Sequence, residues 1–82
     1  MKFETQIVIK NKFGEFFGEK FILEEEHLYK IKEASREFYK SSGFELQCED
    51  GTFVVFPTEI VKESILKVIS KKIEEEDVQD KI

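Results

Sequence analysis

The chain has 82 residues, 40% of them apolar and nine of them phenylalanine, enough for a single domain with one packed core and too apolar for wholesale disorder. Its formal charge is −5, yet residues 1–73 balance 12 basic against 13 acidic side chains, and Glu74, Glu75, Glu76, Asp77 and Asp80 against Lys81 place the excess in residues 74–82. No basic stripe of the kind that neutralises phosphates is visible, which excludes direct nucleic-acid binding, and no run approaches the roughly 18 apolar residues of a membrane span.

The N-terminus, Met1-Lys2-Phe3-Glu4, lacks the basic-then-apolar layout of a secretory signal, and a single cysteine fits a reducing compartment, so a cytoplasmic location is expected. Residues 3–10 read as a strand, with Phe3, Thr5, Ile7 and Ile9 on one face and Glu4, Gln6, Val8 and Lys10 on the other. Asn11-Lys12-Phe13-Gly14 is a hairpin connection. A second strand follows over about 15–23, and Gly18 in its middle marks a bulge or bend. Simple alternation puts Phe17, Phe21 and Leu23 on one side and Phe16 and Ile22 on the other.

The period then changes. Leu28, Ile31, Ser35 and Phe38 recur at helical spacing, with Glu24, Glu25 and Glu26 where a helix N-terminus favours negative charge and Lys40 in the last turn before Ser41-Ser42-Gly43. A helix over 24–40 is expected, lying on the main face of the sheet.

A second hairpin is expected over Phe44–Phe56, with Asp50-Gly51 as a tight two-residue turn. That turn sets Cys48 opposite Phe53 and Leu46 opposite Val55, so these residues and Phe44 share one apolar face. Val54 and Phe56 are then left on the other face beside Glu45, Gln47 and Glu49, and something must cover them. Beyond Pro57, with Thr58 as N-cap, Val61, Ile65, Leu66, Val68, Ile69 and Ile73 fill an arc of about 160°, which favours an amphipathic helix over 59–73. The competing reading makes 58–63 a turn and 64–70 a fifth strand. The expected fold is α+β: a four-stranded antiparallel sheet in the order β-β-α-β-β-α, spanning 1–73, with 74–82 as an acidic tail.

Catalytic and metal chemistry find little to work with. His27 is the only histidine and has no second ligand at metal spacing, and Cys48 reads as a small buried hydrophobe. No nucleophile elbow, phosphate-cradling glycine loop or calcium loop is present, so a non-enzyme without cofactors is expected. The candidate interface consists of Phe13, Phe16, Phe17, Val54 and Phe56 with the acidic Glu74, Glu75 and Glu76. A different class, a homo-oligomer that sequesters a small nucleotide, would draw on Lys10, Lys12 and Lys20 near Phe13 and Phe16. A scaffold or assembly protein is the third reading.

The run Phe53-Val54-Val55-Phe56-Pro57-Thr58-Glu59-Ile60-Val61-Lys62-Glu63-Ser64-Ile65-Leu66-Lys67-Val68 resembles segments of small accessory proteins of phages and mobile elements of low-GC Gram-positive bacteria. The resemblance implies a protein that binds and blocks a host defence or nucleic-acid-handling protein. It also leaves room for 64–69 to be a terminal strand.

Overall fold

The computed structural model describes residues 1–73; Glu74, Glu75, Glu76 and the rest of 74–82 lie outside the described residues. The element order is β1 (Lys2–Asn11), β2 (Gly14–Phe17), β3 (Phe21–Glu24), α1 (Leu28–Arg36), β4 (Gly43–Gln47), β5 (Phe53–Pro57), α2 (Thr58–Glu63) and β6 (Ile65–Lys72). The class is α+β, with a four-stranded antiparallel sheet and a separate two-stranded one.

β1 is the spine of the larger sheet. Its N-terminal half pairs with β3, its C-terminal half with β2, and nearly its whole length with β6 on the other side. β2 and β3 are thus one outer strand interrupted between Phe17 and Phe21. The interruption is built around Gly18, whose N–H donates to the Ile7 carbonyl at 2.8 Å. A Cβ on Gly18 would meet the Leu46 side chain at Cδ1, 2.9 Å away, and the Ile7 backbone carbonyl at 3.0 Å, so a larger residue here would have to push both aside.

The break also shifts the side-chain phase by one residue. Phe16 sits opposite Ile9 and shares the inner face with Phe21 and Leu23, while Phe17 and Ile22 go to the outer face. The expectation that Phe17 keeps company with Phe21 and Leu23 is therefore corrected.

β4 and β5 form the second sheet, joined to the first by one antiparallel bridge between Gly18 and Cys48. Their register departs by one residue from the expected one: Gln47 faces Phe53, Leu46 faces Val54 and Phe44 faces Phe56. The cause is the turn. Cys48 donates to the Thr52 carbonyl at 2.8 Å and Gly51 to the Cys48 carbonyl at 3.0 Å, leaving a three-residue loop with Gly51 at φ +94°. Asp50 fastens it, its carboxylate accepting from the Thr52 N–H at 3.0 Å and the Thr52 hydroxyl at 2.7 Å. The slip exchanges the faces of β5. Val54 and Phe56 join Phe44, Leu46 and Cys48 in the interior, and Phe53 and Val55 turn outward.

The core gathers Ile9, Phe38, Leu46, Cys48, Phe56 and Val61, with Ile7, Phe16, Phe44 and Leu66 packed around it. Aromatic rings meet edge-on within it, Phe16 with Phe56 at 5.2 Å and Phe38 with Phe44 at 4.9 Å. The 24–40 segment contributes less than expected. α1 spans only Leu28–Arg36 between two 3₁₀ turns and holds no buried residue; Phe38, in the second of those turns, is the side chain that reaches the core. The hairpin and α2 close the core instead.

The helix expected over 59–73 is also corrected. α2 ends at Glu63 and the chain runs into β6, the fifth-strand alternative. Adjacent apolar pairs Ile65-Leu66 and Val68-Ile69 mimic a helical stripe, but in β6 Leu66 and Val68 face inward while Ile65 and Ile69 lie on the outer sheet face. Thr58 does not cap α2: its hydroxyl donates to the Ser42 carbonyl at 2.8 Å. Ser64 anchors the junction, donating to the Ile60 carbonyl at 2.6 Å and accepting from Asn11 Nδ2 at 3.1 Å, while its own carbonyl accepts from the Tyr39 hydroxyl at 2.6 Å.

Candidate functional site

The β1–β2 turn and the β5–α2 connection converge on one apolar groove of about 360 Å³. One wall is Phe13 and Phe16; the other is the backbone and side chains of Val54 to Pro57, with Ile60 of α2 at one end and Asn11 the polar liner. The turn that presents Phe13 is held by local contacts. Asn11 faces Gly14 across the hairpin, Gly14 takes φ +133°, and the Asn11 side-chain carbonyl accepts from the Phe13 N–H at 2.8 Å. Phe13 is held 67% exposed. Lys12 lies 5.6 Å from its ring centroid and pairs with Glu63 at 3.4 Å, fixing the turn against the end of α2.

Of the side chains singled out in the sequence, Phe13, Phe16, Val54 and Phe56 are brought together here. Phe56 is a correction in kind: it is 3% exposed and belongs to the core, forming the floor of the groove rather than a free contact. Val54 is half-buried against the same core. Phe17 is outside the groove, on the outer face, and lines a second hollow that it shares with Phe16 and Val54 and with Glu15, Cys48, Glu49 and Asp50. The sequence reading passed over Val55, Pro57 and Ile60. Val55 was assigned inward by the assumed register, and Phe53 with it; these two are 60% and 57% exposed and form an apolar strip beside the groove.

The three lysines do not share a pocket. Lys10 stands on the outer sheet face between Glu15 and Ile65, Lys12 is engaged by Glu63, and Lys20 lines a separate hollow of about 190 Å³ with Glu4, Gln6, Ile69 and Lys71. Among the described residues no cluster of three or more His, Cys, Asp or Glu is placed to hold a metal ion. His27 lies 3.9 Å from Glu26, and Cys48 is buried. Asp50 is held below the usual carboxylate range by the Thr52 hydroxyl and then the Thr52 N–H, a turn-building role. No helix among the described residues is long and apolar enough to cross a membrane.

No protein-family model, curated protein or solved structure matches this chain.

Proposed function

We propose that this is a small non-enzymatic protein-binding module of the cytoplasm that acts by covering a surface of another protein. The observation that supports it is the groove itself: a concave apolar surface with one polar liner, flanked by Phe53 and Val55, on a domain with little interior to spare for a substrate pocket. An aromatic side chain held out by a hydrogen-bonded turn, as Phe13 is, suits an anchor that binds without first being ordered. The resemblance of 53–68 to phage and mobile-element accessory proteins gives the setting, inhibition of a host defence or nucleic-acid-handling protein.

The test is affinity capture from the lysate of a low-GC Gram-positive bacterium with the immobilised protein and its Phe13→Ser variant. Phe13 is exposed and outside the core, so the variant should keep its fold. A protein retained by the wild type and lost by the variant is the expected result. Identical retention by both would overturn the reading.

A further inference from the structure

We propose that the partner at this surface is, in the first place, a second copy of the same chain, paired edge to edge through β5. The proposal rests on the reading that the groove and β5 are the contact surface, and it identifies the occupant.

The antiparallel ladder fixes which backbone groups are open. Thr52, opposite Cys48, is bonded to it, so the hydrogen-bonded positions of β5 are Val54 and Phe56. The N–H and C=O groups of Phe53 and Val55 therefore point away from β4, and no backbone bond among the described residues uses them. Val55 lines the groove and Phe53 lies just beyond it along the same edge, where an added strand would lie.

The two sheets each end in such an edge, but the edges differ. β6 carries Lys67, Lys71 and Lys72, the kind of charge that keeps an exposed edge from pairing. From Gly51 to Thr58 there is no charge at all, and the strand is Phe-Val-Val-Phe-Pro, with Pro57 at its far end beyond the Phe53–Val55 segment. An edge this apolar, and free of charge over Phe53–Val55, is suited to being paired.

The strand is also complementary to itself. An antiparallel pair centred on Val54 sets Phe53 of each copy opposite Val55 of the other in both hydrogen-bonded pairs, an aromatic facing a β-branched side chain. The same register brings the two Val54 side chains together on the groove side. Charge does not oppose it: Glu45 lies on β4, one strand spacing of about 4.8 Å farther from the seam. The exposed parts of Phe13, Phe53 and Val55 amount to roughly 300 Å² per copy, taking aromatic side chains at about 200 Å² each. Two copies then bury roughly 600 Å² of this apolar surface, under two-fifths of a standard interface of about 1,600 Å², so association is weak and concentration-dependent.

Sedimentation of the full chain from low micromolar to millimolar concentration tests this, together with residue-resolved amide exchange. The mass should rise towards twice the monomer's, and the Phe53 and Val55 amides should gain protection with concentration while those of Leu66 and Val68 do not. Val55→Lys should stay monomeric throughout with an unchanged circular dichroism spectrum, and Phe53→Lys serves the same purpose if that variant fails to fold. A wild type monomeric at millimolar concentration, a dimer that survives both substitutions, or protection arising on β6 would each overturn the pairing. A monomeric wild type that still loses its captured protein on Phe13→Ser would sink the pairing alone. A β5-paired dimer whose Phe13→Ser variant captures the same proteins would sink the binding reading alone.

Discussion

Truncating two neighbouring residues of β5 separately, Phe56→Ala and Val55→Ala, should give very unequal losses of stability. Phe56 is 3% exposed and its ring lies 5.2 Å from Phe16 and 6.5 Å from Phe44, so removing it opens a hole in the middle of the core. Such a change costs about 3–5 kcal/mol. A domain of this length has about 4–12 kcal/mol in total, so at least a quarter of its stability goes. Val55 is 60% exposed, and losing two methyl groups there should cost about 0.5 kcal/mol or less. Urea titrations followed by far-UV circular dichroism at low micromolar protein, where self-association adds nothing, give both values directly. In thermal melts the gap corresponds to about 10 °C or more, at 4–8 °C per kcal/mol for a small domain. Equal losses, or a larger loss at Val55, would mean that the hairpin turns over two residues rather than three and that the faces of β5 are exchanged.

Gly18→Ala should cost about 1–3 kcal/mol in the same titration, because its Cβ would press on both Leu46 and the Ile7 carbonyl; an unchanged midpoint would mean that the break in the outer strand relaxes freely. The Asp50 carboxyl titrates below its ordinary value because Thr52 donates to the ionised form, so its contribution to stability is complete above the unfolded-state value and fades as pH falls through the folded one. Asp50→Asn should therefore flatten part of the acid side of the stability profile and leave the neutral side without pH dependence from this group; an unaltered acid limb would refute the turn-fastening role. Cys48, 4% exposed, should react with a thiol reagent only as fast as the native state opens, and urea should accelerate labelling in step with unfolding. Prompt labelling of the native protein would place the thiol at the surface.

Much of the architecture is legible in the residues. Alternation in 3–10 marks β1, Asn11 to Gly14 marks its turn, and Gly18 marks the break. Three features escape a reading of local pattern, each because tertiary contacts decide them. The Asp50-Gly51 pair serves two-residue and three-residue loops alike, and what selects the longer one is the burial of Phe56 against Phe16, a contact forty residues away in sequence. The phase of Phe16 and Phe17 depends on how many residues the break at Gly18 absorbs, which is set by its bond to Ile7. β6 resembles a helix because both its faces carry apolar residues, and only β1 alongside it makes the strand the better solution. The candidate site suffered from the first of these errors: with Val55 assigned inward, the strip beside the groove could not be read from spacing, although Phe13 and Phe16 on the opposite wall could.

The central position of β1 bears on how the protein is made. Its partner along most of its length is β6, so that Phe3 meets Lys72 and Lys10 meets Ile65, and β1 must wait for β6 to be synthesised. Until residue 72 leaves the ribosome, Ile7 and Ile9 have only the short β2 and β3 beside them, and one edge of β1 stays open to any chain that passes. Pairing between segments roughly sixty residues apart closes a long loop and is slow. The larger sheet thus closes only once β6 has been made, and until then β1 keeps an unpaired edge.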